Sequence, residues 1–177
     1  AERVAVIEMA LASGLALLPP EQRDPWQTTT AGTGELIRAA LDRGAGALLL
    51  GVGGSATNDL GLGALRALGL EVFDAGGASV GEPVPAAWER IARLGGALPA
   101  GLPPIRIACD VANPLLGPQG ATAIYGPQKG LKPADYARLE AGCARLSALL
   151  CAHFGRPPTL RDTPGAGAAG GISFGLQ

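Results

Sequence analysis

The residues best suited to chemistry lie in GVGGSATND, residues 51–59, directly after the apolar run AGALLLGV. Consecutive glycines let the backbone approach a ligand closely, and a helix predicted just after them directs free N–H groups toward the same place. Such an arrangement suits a phosphate or a carboxylate. The candidate anion-binding groups are the backbone at Gly53 and Gly54, the hydroxyls of Ser55 and Thr57, and the Asn58 amide.

Asp59 is the one member of this loop that does not suit an anion site. Its carboxylate repels a bound anion unless it binds a metal or handles a proton. An aspartate just before a helix is equally typical of a helix cap. The local sequence favours neither interpretation, so chemistry and capping both stay open for Asp59.

Two further loops carry polar groups that could take part. In ACDVANPLLGPQGA, Asp110 follows a predicted strand, Asn113 lies three residues on, and Pro114 fixes the turn. The pair could hold Mg²⁺ or position a substrate hydroxyl, although an Asx-turn that ends the strand is slightly favoured locally. In YGPQKG, Lys129 is one of only two lysines and could neutralise a phosphate, or could be a solvated turn residue.

The first loop also fits a rival template. Gly51, Gly53 and Ala56 spell G-x-G-x-x-A between a strand and a helix, and Glu71 lies twenty positions beyond Gly51. This is the dinucleotide fingerprint with its ribose-binding acid, and it keeps an NAD-binding oxidoreductase as the alternative. A Walker-type phosphate loop is excluded, because no glycine–lysine pair of that motif is present.

Composition excludes several other chemistries. The only histidine, His153, ends an apolar helical stretch, and the three cysteines form no C-x-x-C pair, so neither a zinc site nor a histidine-based triad is favoured. Basic and acidic residues number 14 and 15 and aromatics make up 4%, which argues against nucleic acid as a partner. The apolar runs are too interrupted to cross a membrane, and so few cysteines favour a reducing cytoplasm.

The elements that position these loops alternate between helix and strand. TTTAGTGELIRAALDRG predicts a helix with Thr33 as N-cap and Gly44 at C′, AGALLLGV a buried strand, and LGLGALRALG a second helix. With LEVFDA as the next strand, the pattern predicts a parallel βαβ unit. We therefore expect an α/β fold with a parallel or mixed sheet flanked by helices, and glycine-rich loops at the carboxyl ends of its strands.

Other segments extend this pattern. IRIACDV and ATAIYG are predicted as a third and a fourth strand, PAAWERIARL as a short helix, and KPADYARLEAGCARLSALLCAHFG as the longest helix. The first eighteen residues are predicted as an amphipathic or buried helix and not as a secretory signal, because Glu2 and Glu8 interrupt them and no basic leader precedes them. Residues 1–177 are expected to form a single α/β domain.

Five blocks, in order, resemble the bacterial type I glycerate kinases: VIEMALASGLALL, TTTAGTGELIRAALDRGA, GVGGSATNDLGLGALRALG, ACDVANPLLGPQGATAIYGPQKG and PGAGAAGG. The family's opening A-P-D-S-F-K-G block and its later G-E-G-R-x-D block have no counterpart here. The resemblance therefore implies the central part of a longer two-domain kinase, in which the active site lies between the domains. A non-catalytic α/β fragment is the further alternative.

The resemblance implies transfer of the γ-phosphoryl group of ATP to D-glycerate with Mg²⁺ in the cytoplasm, with the 2-hydroxyl as the expected acceptor. It implies small-molecule partners and leaves the oligomeric state open. Asp59 or Asp110 would orient the attacking hydroxyl or bind Mg²⁺, with Asp110 as the metal candidate, and Lys129 would balance phosphate charge. The residues that match the family's binding blocks are Gly53, Gly54, Ser55, Thr57, Asn58, Asn113 and Gln128.

Overall fold

A computed structural model describes residues 3–177 of the chain. Strands and helices alternate around two sheets, and short 3-10 helices fill many of the connections. The strands are β1 (Val4–Glu8), β2 (Ala47–Gly51), β3 (Leu70–Phe73), β4 (Arg93–Gly96) and β5 (Ile105–Ala108). The helices are α1 (Ala10–Ser13), α2 (Ala31–Asp42), α3 (Leu62–Ala67), α4 (Ala121–Tyr125), α5 (Tyr136–His153) and α6 (Ile172–Gly175).

The main sheet is parallel, in the order β1-β2-β5, so β2 is its central strand. Ile7 lies opposite Leu50, which in turn lies opposite Ile107, and these side chains share one face. That face packs against α2 through Ile37, which is fully buried, and against α3 through Ala64. The strand predicted at AGALLLGV is confirmed, but it is buried on one face only: Leu48 and Leu50 are buried, whereas Leu49 is exposed on the other face.

A second core lies between α5 and the smaller, antiparallel sheet of β3 and β4. Leu139, Cys143, Leu146 and Leu150 recur at helical spacing along α5 and are all buried. They pack together with Trp88 and the inner side of β3. The long helix predicted from its apolar stripe is therefore confirmed, and it supports the loops at one end of the main sheet.

The fold class is confirmed: the protein is α/β, with a parallel sheet flanked by helices. The helix predicted over the first eighteen residues is wrong at its start, because Val4–Glu8 pairs with β2 as a strand. Short apolar runs do not distinguish strand from helix, and the pairing partner lies some forty residues away. The helix α1 that follows is only four residues long.

Three other sequence-based expectations are wrong. β3 does not join the parallel sheet as a βαβ partner but pairs antiparallel with β4. ATAIYG forms the helix α4 and not a fourth strand. The N-cap of α2 is Thr30 and not Thr33, because the helix begins at Ala31 and the Thr33 hydroxyl hydrogen-bonds that of Ser13 at 2.9 Å. Gly44 does follow α2 with a positive φ of 75°, as expected for C′.

Within the part of the chain that the structure describes, no helix combines the length and apolarity that crossing a bilayer requires.

Candidate functional site

A pocket of about 170 Å³ opens at the carboxyl ends of β2 and β5, where ligands bind in open parallel sheets. Its floor is the glycine loop after β2, and one wall is the segment after β5. Its roof comes from the end of α4 and the 3-10 helix Pro127–Lys129. The lining residues are Val52, Gly53, Gly54, Ser55, Ala108, Cys109, Asp110, Val111, Tyr125, Gln128, Lys129, Ala168 and Ala169.

Lys129 is the central charged group of this pocket. Its side chain is 1% exposed, and its Nζ donates to Ser55 Oγ at 3.0 Å and to the Thr57 carbonyl oxygen at 2.6 Å. An ammonium has three donors, so one remains for a ligand. Burial lowers the Lys129 pKa to about 7, opposed by the charge of Asp59. The sequence alone left open whether Lys129 is a solvated turn residue, and its burial excludes that.

The glycine loop presents bare backbone to the pocket. A Cβ added at Gly53 would have no atom within 4 Å, so a ligand can come as close as the backbone allows. Gly54 has a φ of +68°, a conformation that side-chain-bearing residues rarely adopt. Together with Ser55, whose hydroxyl is held by Lys129, the two glycines form a concave surface suited to an anion.

Asp110 lies on the opposite wall and is exposed. Tyr125 stands beside it, and burial together with the charges of Cys109 and Asp110 raises the Tyr125 pKa. The Tyr125 hydroxyl donates to Asn113 Oδ1 at 2.6 Å, while Asn113 Nδ2 donates to the Gln119 carbonyl oxygen at 2.8 Å. Asn113 therefore closes its own loop and orients Tyr125, and it does not itself line the pocket.

Asp59 lies away from the pocket and is completely buried. Its Oδ2 accepts hydrogen bonds from the Thr30 amide and hydroxyl, both at 2.8 Å, and from the Gly63 amide at 3.2 Å, while Oδ1 accepts from the Gly61 amide at 3.2 Å. Burial raises the Asp59 pKa, and these hydrogen bonds oppose the rise. The carboxylate joins the N-termini of α2 and α3, so the geometry favours a capping role for it.

Thr57 and Asn58 are also buried behind the loop rather than exposed to the pocket. The Asn58 Nδ2 donates to Thr122 Oγ1 at 3.4 Å and approaches Cys143 Sγ at 3.7 Å, which ties the loop to α4 and α5. Thr57 contributes its carbonyl to Lys129. Both residues fix the shape of the loop from behind.

The structure thus brings some of the sequence-predicted residues together and leaves others outside. The pocket gathers Gly53, Gly54, Ser55, Asp110, Gln128 and Lys129. Thr57, Asn58, Asp59 and Asn113 support it from outside.

Tyr125 was missed, because ATAIYG looked like a strand and a helix end was not expected there. Ala169 was missed too, and only its setting in PGAGAAGG could have suggested the positive φ of 52° that the structure shows.

The pocket fits an anionic group better than a bare metal ion. Among residues 3–177 there is no group of three carboxylate, histidine or cysteine side chains close enough to hold a metal. Asp110 offers one carboxylate, which suits Mg²⁺ only because that ion usually takes one or two protein carboxylates and completes its shell with phosphates and water. Glu71, the ribose-binding candidate of the dinucleotide template, lies on β3 and lines a different pocket.

A larger cavity of about 270 Å³ lies near α5 and α6. Its lining is almost entirely aliphatic and aromatic, with Arg156 as its only charged side chain. Such a surface suits apolar packing and offers no cradle for phosphate. The smaller polar pocket is therefore the candidate functional site.

Comparison with known proteins points to the same family that the five sequence blocks resemble. A model of the glycerate kinase family matches residues 1–177. The chain is 48% identical over 177 residues to a glycerate kinase of Bacillus subtilis, covering 98% of this chain and 46% of that relative. It is 43% identical over 183 residues to a glycerate 2-kinase of Escherichia coli, covering 99% of this chain and 46% of that relative.

A solved structure from Salmonella typhimurium LT2, provisionally named glycerate kinase 2, superposes with a TM-score of 0.92 at 44% identity. The superposition covers 98% of this chain and 47% of that one. The chain therefore spans just under half the length of these relatives. None of these findings supports the nicotinamide-dependent alternative.

Proposed function

The chain belongs to the glycerate kinase family, and from this premise we propose that it supplies the anion-binding half of an enzyme that phosphorylates D-glycerate with ATP. The observation that carries the proposal is the buried Lys129 ammonium, held by Ser55 and Thr57 against the bare backbone of Gly53 and Gly54. Phosphoryl transfer depends chiefly on such positioning and charge neutralisation. The product is phosphoglycerate, with the 2-hydroxyl as the proposed acceptor, which the name of the E. coli relative supports.

The glycine loop and Lys129 hold an anionic group, either the glycerate carboxylate or a phosphate. The free donor of Lys129 and the N–H groups of the loop approach it from two sides, and Ser55 keeps the ammonium in place. Fixed donors of this kind need little reorganisation as charge develops during transfer. Gln128, exposed at the rim of the same pocket, adds a further amide contact.

Asp110 is the carboxylate that faces the substrate. It lies on the pocket wall across from Lys129, where it orients the attacking hydroxyl and accepts its proton, or holds Mg²⁺. When bound with ATP, Mg²⁺ would supply neutralisation of phosphate charge. Asp59, with four hydrogen-bond donors around it, positions α2 and α3 behind the loop.

We place the chain as one α/β domain of a longer two-domain kinase, because its relatives are about twice its length. We also place the enzyme in the cytoplasm, where ATP is available and the three free thiols stay reduced. Its partners are then the small molecules glycerate and ATP, with neither nucleic acid nor membrane required.

Ligand-induced stabilisation of the chain tests this proposal. Thermal unfolding is followed with D-glycerate, with MgATP and with NAD⁺, for the wild type and for Lys129→Met. We expect glycerate or MgATP to raise Tm in the wild type, and Lys129→Met to abolish the shift. The exposed Lys132 provides the matched control, because Lys132→Met should leave the shift unchanged. Stabilisation by NAD⁺ alone would contradict the proposal.

A further inference from the structure

One face of the parallel sheet is exposed and apolar. Val4 and Val6 on β1 are 55% and 68% exposed, and Leu49 on β2 is 37% exposed. Val6 lies directly opposite Leu49, so the three side chains form a continuous apolar patch, here called the open face. Parallel sheets are normally covered on both faces, because their helical crossovers pack there.

The order of the strands explains why this face is open. The chain passes from β1 to β2 and then to β5, always in the same direction across the sheet. Crossovers of one hand that run in one direction place their helices on one face. Ile37 of α2 and Ala64 of α3 indeed pack on the side opposite the open face. Covering the open face requires a crossover in the reverse direction, and residues 3–177 contain none.

The rim of the open face carries two charged groups. Glu8 lies at the carboxyl end of β1, and its Oε2 is 2.6 Å from where a Cβ of Gly51 would be, so the glycine leaves room for that carboxylate on the sheet. Arg106 on β5 lies opposite Leu49 and is exposed. A partner that fits this surface is apolar along its middle, basic near Glu8 and acidic near Arg106.

We propose that the open face is the docking surface of an amphipathic helix from the other half of a complete enzyme of this family. The chain spans 46% of its relatives, which leaves a half of similar size to provide such a helix. Its apolar stripe covers Val4, Val6 and Leu49. This inference rests on the proposal that the chain is one part of a longer kinase, and it does not depend on the chemistry at Lys129.

Cysteine labelling measures whether the open face becomes covered. Leu49→Cys is made in the chain alone and in a chimera in which this chain replaces the matching segment of the B. subtilis glycerate kinase. Labelling by a maleimide is then mapped to position 49 by mass spectrometry. Leu36, on the outer side of α2, is equally exposed at 38% and provides the matched control as Leu36→Cys.

We expect both variants to label rapidly in the chain alone. In the chimera, Leu49→Cys should label at least tenfold more slowly, while Leu36→Cys keeps its rate. Equal labelling of position 49 in both proteins would overturn the proposal. So would a dimer of the chain alone, seen by analytical ultracentrifugation, that Leu49→Asp dissociates, because a second copy would then be the occupant. An inactive chimera that still protects position 49 would count only against the proposed function.

Discussion

At the scale of single residues, Lys129 shows what burial does to a charge. Its ammonium has two acceptors and, among residues 3–177, no carboxylate within hydrogen-bonding distance, so burial lowers its pKa to about 7 even though the charge of Asp59 opposes the shift. A cation held in this way is incompletely compensated until an anion arrives. The site is therefore prepared for an anionic ligand, and the protein is less stable without one.

The pH dependence of this lysine gives a prediction with two opposite trends. In the ligand-free protein, the unfolded state binds more protons than the folded state between pH 7 and the ordinary lysine pKa of 10.5. The contribution of Lys129 to the free energy of unfolding therefore rises with pH across that window. Anion affinity should fall across the same window, because the charge is lost.

Urea unfolding and calorimetric titration with D-glycerate, each repeated from pH 6 to pH 10, measure the two trends. The Lys129→Met variant lacks the titrating group and should show neither. A wild type whose anion affinity is constant over this range would show that Lys129 is not the group that holds the anion.

The two aspartates should respond differently to the same substitution. Asp110→Asn removes an exposed charge, so the free energy of unfolding should change by less than about 0.5 kcal/mol. Its turnover in the chimera should fall by roughly 100-fold. Asp59→Asn disturbs four buried hydrogen bonds and should cost at least about 2 kcal/mol of stability.

Urea unfolding and a coupled assay of glycerate phosphorylation distinguish these effects, and each aspartate variant is the control for the other. If Asp59→Asn were as stable as the wild type but inactive, Asp59 would be the reacting carboxylate. In that case the capping role inferred from its contacts would be wrong.

Prediction from sequence grouped the candidate-site residues whose position follows from local order, and their roles stay predictions. Gly53, Gly54 and Ser55 follow a buried strand, and Asp110 follows another, so the carboxyl edge of the sheet brings them together. Prediction from sequence could not distinguish the role of Asp59 from that of Asp110, because the contacts that bury Asp59 come from Thr30, twenty-nine residues away. Long-range contacts of this kind leave no mark in the local pattern.

At the scale of elements, the glycine loop and the helix pair α2–α3 use glycine in two different ways. Gly53 leaves a space for a ligand, since a Cβ there would meet nothing. Gly34 on α2 leaves a space for a helix, since a Cβ there would lie 2.6 Å from the backbone of Ala64. Substitution by alanine should therefore weaken ligand binding at Gly53 and lower stability at Gly34.

Gly53→Ala should leave the free energy of unfolding within about 0.5 kcal/mol of the wild type and weaken anion binding at least about tenfold. The added methyl group occupies the space through which a ligand reaches the backbone. Gly54→Ala provides the comparison, because its φ of +68° should add a stability loss of about 1 kcal/mol. Calorimetric binding and urea unfolding measure both. Unchanged anion binding by Gly53→Ala would place the ligand elsewhere.

Gly34→Ala should lower stability by at least about 1 kcal/mol, because the overpacking exceeds the gain of about 1 kcal/mol in helix propensity. Glu35→Ala, at the next position on the exposed side of α2, should change stability by less than about 0.5 kcal/mol. Urea denaturation of both variants provides the test. A stabilised Gly34→Ala would show that α2 and α3 are not in close contact.

Elements with a clear local signal, either a long helical period or flanking glycines, were predicted correctly, and elements without one were not. α5 has four buried residues at helical spacing, and β2 is a compact apolar run between glycines. In contrast, β1 and α4 have five residues each, too few to reveal a period. β3 pairs with β4 and not with a strand of the parallel sheet, and the local sequence does not determine which sheet a strand joins.

At the scale of the whole molecule, the chain has two unusual surfaces, and we propose that both belong to a larger enzyme. The polar pocket offers an anion site and a carboxylate, but no group of three metal-binding side chains occurs in residues 3–177. The open face of the sheet carries apolar side chains that a soluble domain normally covers. We interpret both as surfaces that the other half of a complete enzyme completes, which agrees with relatives about twice as long.

Glycerate phosphorylation by the B. subtilis chimera, with and without Lys129, tests most directly whether this pocket is the site of phosphoryl transfer. We expect the chimera to convert D-glycerate to phosphoglycerate with ATP, and we expect Lys129→Met to lower kcat/KM at least 100-fold while Lys132→Met does not. Circular dichroism should confirm that all three proteins are folded. A folded Lys129→Met chimera with the kcat/KM of its parent would contradict the assignment of this pocket as the site of phosphoryl transfer.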